Sequence, residues 1–194
     1  MIQAVRSFMS WADLWRKVRM VDDSILVGRL PSLWIGYGTA VAFLAAELMA
    51  VMLATNWGGL FLLISIGGWL YWLHCVYKYH DVMSRIQGYD HPISAGRAVG
   101  MHWIPFYDLY WVFKWPREIA TFVNWRMQSR AMNGNIVGLL VLAGFILRNV
   151  DGFLGLLVLF SAGSYISHRI RKACLAPPVP KSLHTFAASG PLGL

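Results

Sequence analysis

Residues 33–77 read LWIGYGTAVAFLAAELMAVMLATNWGGLFLLISIGGWLYWLHCVY, and the fold class follows from them. The stretch holds two apolar blocks, 33–55 and 58–77, separated by Asn56 and Trp57 alone. At 1.5 Å of helical rise per residue they measure about 34 and 30 Å, enough for the hydrocarbon core of a bilayer. So short a link predicts a tight antiparallel hairpin of two membrane helices. Trp69, Tyr71, Trp72 and Tyr77 crowd the later half of the second block, and Tyr79 follows just beyond it. Their rings have apolar bodies and polar tips, which suits a headgroup boundary. In the first block Ala42, Ala46, Ala50 and Ala54 recur every four residues, a smooth ridge on which another helix could dock. Glu47 stands beside that ridge at mid-span, where an ionisable group is costly unless neutralised, paired or wet.

Two shorter blocks follow at 136–150 and 153–170, with Asp151 and Gly152 as the turn. Both fall below the usual length of about 20 residues, so they read either as two thin spans or as a re-entrant hairpin. The composition agrees with a membrane chain: 57% hydrophobic and 13% charged, where soluble domains carry about 25% charge. The expected fold is therefore all-α and polytopic. It has four transmembrane helices, with an N-terminal and a central interfacial amphipathic helix. The expected units are 1–30, 31–77, 78–133, 134–172 and 173–194.

Residues 6–21 set Phe8, Trp11, Trp15 and Val18 at helical spacing, with Arg6, Asp13, Arg16 and Lys17 between them. Beside a span, that pattern predicts a helix lying in the interface or packed on the protein's own face. The first thirty residues show no apolar core followed by a small-residue cleavage pattern, so no cleavable signal is expected. The tail 173–194, rich in proline and small residues, is expected to be extended.

The charge distribution orients the chain. Of 17 basic residues, only Arg148 falls outside the stretches preceding 33, between 77 and 136, or following 168. The positive-inside rule then puts both termini on the cytoplasmic side of the membrane. Arg148 and Asp151 are expected to pair on the far side. The net charge of +8 is directed to anionic headgroups, and no nucleic acid is expected. Cys75 and Cys174, both on the cytoplasmic side, are not expected to form a disulfide.

The connector 78–133 contains HPISAGRAVGMHWIPFYDLYWVFKWP at 91–116. Asp90, Pro92, Gly96 and Gly100 mark turns. The run after Pro105 is expected to dip into the membrane surface between Ile104 and Trp115, with Phe106, Trp111 and Trp115 touching lipid or a partner. Pro116 is expected to open a new amphipathic helix, since its missing N–H costs nothing at that position. The positions Ser94, Gly96, Ala98, Val99, Gly100, Ile104, Pro105, Phe106 and Asp108 resemble the signature of the DUF4328 family of bacterial membrane proteins. That family favours Asn near the position of Asp108. The resemblance covers roughly residues 70–130. It implies a multi-pass architecture and brings no activity with it.

Chemical motifs are sparse. There is no HExxH, no GxxxxGK[ST] and no GxSxG. His74 and His168 fall near the cytoplasmic ends of the second and fourth blocks. If they faced each other at equal depth they could hold a haem or pigment. The expected role is a non-catalytic accessory, scaffold or assembly subunit of a larger complex, with other integral membrane subunits or a second copy as partner. The alternatives are a small oligomeric transporter using Glu47 and an electron-transfer subunit using His74 and His168.

Overall fold

The computed structural model describes residues 25–53, 58–86, 88–104 and 106–177. Trp11 and Trp15 of the N-terminal stripe, Ala54 and the tail beyond residue 177 lie outside the described residues. Among the described residues the regular structure is all helical: α1 (Trp34–Leu53), α2 (Gly58–Ser84), α3 (Ala95–Gly100) with a 3-10 turn (Met101–Trp103), α4 (Tyr107–Met127), α5 (Gly134–Arg148) and α6 (Gly152–Leu175). Three of these, α1, α2 and α6, are long and apolar enough to cross a membrane. The shorter α5 has 15 residues, about 22 Å of rise.

Apolar helices in an apolar solvent gain nothing from hiding oily surface, so they associate where small residues let backbones approach. The bundle follows that rule. A Cβ at Gly36 of α1 would lie 2.2 Å from the Phe160 ring of α6, and one at Gly152 of α6 would lie 2.2 Å from Phe43 of α1. These two contacts fix α1 antiparallel to α6. Gly144 of α5 meets Leu159, and Gly155 of α6 meets the Arg148 backbone, closing the second hairpin. Asn133 and Asp151 cap α5 and α6 by accepting hydrogen bonds from main-chain N–H groups of their first turns. Asp151 is thus used as a cap. Arg148 does not pair with it; its guanidinium donates to the Ser65 hydroxyl and carbonyl on α2 and lies over the Trp69 ring.

Helix α2 runs seven residues past the expected end at Tyr77, as far as Ser84. Lys78, His80 and Asp81 are polar, but the remainder of the chain encloses this end of α2. Trp72, Cys75, Val76, Tyr79, His80, Val82 and Met83 are all fully buried. Both cysteines are buried, and they are not joined in a disulfide.

The central helix departs most from expectation. It begins at Tyr107, nine residues before Pro116, and carries that proline in its interior. An interior proline leaves the carbonyl four residues earlier without its helical donor. That carbonyl belongs to Val112, and the α5 backbone closes over it at Gly138, whose Cβ would lie 3.0 Å from the Val112 oxygen. One turn away, a Cβ at Gly134 would fall 2.5 Å from the Arg117 Cα. Gly134 and Gly138 form a GxxxG face that takes the proline segment against it. Helix α4 therefore lies lengthwise and antiparallel on α5. Trp111, Val112, Trp115, Ile119, Phe122 and Val123 all belong to the core.

Candidate functional site

The connector brings the chain's titratable groups together. From His91 it descends along α2 through α3 and the 3-10 turn, reverses near Phe106, and returns as α4. The two arms are tied by the Trp111 indole, which donates to the Ala98 carbonyl at 2.9 Å. His91 meets His80 of α2, with Nε2 and Nδ1 2.6 Å apart. Eleven residues on, His102 packs edge-on against Trp69, eleven residues earlier in α2, with ring centroids 6.0 Å apart. The connector thus descends about 16 Å alongside α2.

The His102 Nδ1–H donates a hydrogen bond to the Asp108 carboxylate at 2.6 Å. The imidazole side chain is fully buried while the carboxylate is 32% exposed. A carboxylate on one ring nitrogen sets the tautomer and leaves Nε2 as the available lone pair. Trp115 is the hub: its ring is 6.2 Å from His80, 6.4 Å from His102 and 6.1 Å from Trp72, all near edge-on. Among the described residues, the buried nitrogens Trp72 Nε1, Trp115 Nε1, His91 Nδ1 and His102 Nε2 of this cluster have no hydrogen-bond partner. Burial lowers the His91 pKa to about 4, partly opposed by the Glu118 and Asp90 carboxylates. His91 is therefore neutral at physiological pH. Among the described residues no group of three or more His, Cys, Asp or Glu side chains is arranged to hold a metal ion.

The residues singled out from sequence are distributed differently. His74 is exposed and stacked on Tyr71; His168 is exposed on α6. They are not at equal depth. Helices α2 and α6 run parallel, and Gly68–Leu156, Trp72–Phe160 and Tyr79–Ser167 all meet at a sequence separation of 88. His74 and His168 are 94 apart, a mismatch of about 9 Å along the axes. Glu47 is half-buried one turn past Phe43. Because Phe43 packs on Gly152, Glu47 stands level with the Asp151 turn rather than at the middle of the bundle. Of the alanine ridge, Ala46 is buried, Ala50 half-buried and Ala42 exposed. Phe106 is 91% exposed, whereas Trp111 and Trp115 are buried in the chain's own core.

Sequence reasoning did not bring His80, His91, His102 and Asp108 together as one cluster. The available signal was the eleven-residue recurrence of His80, His91 and His102. It has no standard motif because the chain reverses between its members.

The fold and site define an all-helical protein with membrane-length apolar helices and an aromatic–histidine core at one end. Comparison with known proteins gives no match: no family model, no curated protein and no solved structure matches the sequence.

Proposed function

We propose that this chain is a four-span protein of the bacterial inner membrane that serves, without catalysis of its own, as an accessory or assembly subunit of a larger membrane complex. One observation carries the reading. The outward face of α1 presents Gly38, Ala42 and Ala45, all exposed, and a Cβ at Gly38 would meet nothing within 4 Å. Small residues at positions i, i+4 and i+7 form a smooth strip that admits a neighbouring helix closely. A span needing only lipid cover has no use for such a strip. The partner is another integral membrane subunit or a second copy of the chain. The inward use of polar groups supports a binding role: Tyr79, His80, His91, His102 and Trp111 all tie the chain to itself. The basic residues support an orientation with that end in the cytoplasm, against anionic headgroups.

Mild solubilisation followed by native mass determination tests the proposal. A heavier assembly that reverts to monomer in Gly38→Leu/Ala42→Leu, with unchanged melting of the monomer, is expected. A free monomer at native abundance sinks it.

A second reading, a proton-moving oligomer, is favoured by the unpartnered His102 Nε2 behind Asp108. Its carriers would be His102, Asp108, His80 and His91 rather than Glu47. Proton flux in liposomes that is lost in His102→Gln and retained in Glu47→Gln would select it.

A further inference from the structure

The apex of the connector is apolar and uncovered. Trp103 is 64% exposed, Ile104 47%, Phe106 91%, Leu109 61% and Tyr110 52%. In water such a cluster would be an unusual liability, and its depth in the bundle gives it an occupant. Just before this apex, His102 packs on Trp69. Trp69 lies close to the middle of the apolar block 58–77 of α2, about 16 Å from Gly58. The neighbouring helices are oily on their outer faces near the same level: Leu63, Ile66 and Leu70 on α2, and Leu139, Leu140 and Ile146 on α5, are exposed. The apex continues that surface.

Backbone away from regular helix survives at membrane depth only if its polar groups are satisfied. Here the Ile104 N–H donates to the Met101 carbonyl, and the Asp108 N–H donates to the Ile104 carbonyl. The two arms are held together by the Trp111–Ala98 and His102–Asp108 bonds. Phe106 adopts φ 64°, a conformation that side-chain-bearing residues rarely take. Its ring is 91% exposed and points away from the protein.

We infer that residues 91–115 form a re-entrant hairpin that enters and leaves the bilayer at the basic end, with Trp103, Ile104, Phe106 and Leu109 seated among the acyl chains at mid-depth. The inference rests on the chain being membrane-integrated and is independent of any partner subunit. It differs from a helix lying on the surface, because His102 and Asp108 would then be held within the hydrocarbon layer.

Spin labels on three single-site variants in reconstituted vesicles test it: Phe106→Cys, Leu63→Cys as a span reference and Arg130→Cys as a surface reference. Cys75 and Cys174 are buried and stay unlabelled under native conditions. The expected result is that the Phe106 label collides with oxygen and loses collision with a water-soluble nickel chelate, as the Leu63 label does. A Phe106 label as open to the chelate as the Arg130 label, with Leu63 still protected, overturns the hairpin and leaves the membrane reading intact. Chelate access at Leu63 as well overturns both. Ile104→Cys repeats the measurement should Phe106→Cys fold poorly.

Discussion

Along α2, the first half and the second live in different surroundings. Between Gly58 and Leu70 the residues Leu62, Leu63, Ile66 and Leu70 are open to the outside. From Trp72 to Met83 most of the helix is enclosed, with only His74 and Tyr77 exposed, and Tyr79 and His80 are covered completely. A helix satisfies its own backbone, so in hydrocarbon the first half needs no protein cover. The second half carries polar side chains that the rest of the chain meets: the Tyr79 phenol bonds to Gly163 and Ser167 of α6, and the His80 imidazole meets His91 of the connector. One helix thus belongs to a sparse tier that the chain leaves uncovered and to a dense tier whose cover is the chain itself.

The largest effects should come from the backbone contacts that build the dense tier. In Gly134→Leu the new side chain would meet the Arg117 Cα at 2.5 Å and the Pro116 carbonyl at 2.9 Å, and main chain cannot move aside. Loss of about 3 kcal/mol or more is expected, seen as a collapse of the melting temperature in detergent. Gly67→Leu in the sparse tier meets nothing within 4 Å and should change stability by about 0.5 kcal/mol at most. Equal effects at the two glycines would erase the distinction between tiers.

Tyr79→Phe tests the polar cross-links. The hydroxyl donates to the Gly163 carbonyl at 2.9 Å and accepts from the Ser167 hydroxyl at 3.0 Å. Both lie within the protein, so about 1–3 kcal/mol should be lost, with the fold retained. Denaturant titration of the variant gives the value.

The sparse tier was the more legible in sequence, for a physical reason. Where the chain leaves a helix uncovered, hydropathy alone marks it, and the helices within 33–55 and 58–77 could be read directly. The Asp151–Gly152 turn was legible too, because a cap is a local device. In the dense tier each residue's state depends on a distant partner. Helix α2 continues through Lys78 and Asp81 because segments far along the chain cover it. Pro116 sits inside α4 because Gly134 and Gly138 close over the proline segment. His80 and His91 meet only once the connector turns back on α2. Glu47 looked central because its own helix was the only ruler; the Phe43–Gly152 contact shows it level with a turn.

Acid should loosen the dense tier before the sparse one. His91 has a folded-state pKa near 4, below the ordinary 6.5, because burial opposes its charge. The open chain therefore binds a proton first. The stability contributed by this histidine is complete above about pH 6.5, declines as the pH falls from there to 4, and changes no further below 4. His80 Nδ1 faces it from α2, Asp90 and Glu118 act on it from the loop and α4, and Tyr89 stacks on its ring. His91→Gln should flatten the dependence of melting temperature on pH between 7.5 and 5. An unchanged slope would assign acid sensitivity to another group.

The smallest effect is the most informative about partners. Leu63 is 68% exposed and Leu159 is buried. Leu159→Ala opens a cavity and should cost about 2–5 kcal/mol. Leu63→Ala removes atoms that touch only lipid or detergent, in the folded protein and in its dissociated helices alike, so about 0.5 kcal/mol or less is expected. The same reasoning applies to Val41 on α1, 62% exposed beside the small-residue strip. If Leu63→Ala is silent while Val41→Ala weakens the native assembly without lowering the monomer's melting temperature, a partner covers α1 and lipid alone covers α2. If both are silent in the native membrane, the small-residue strip faces lipid and the proposed subunit contact fails. A loss at Leu63 as large as at Leu159 would mean that a second protein surface covers the sparse tier of α2, and the division along that helix would reflect an absent partner rather than the bilayer.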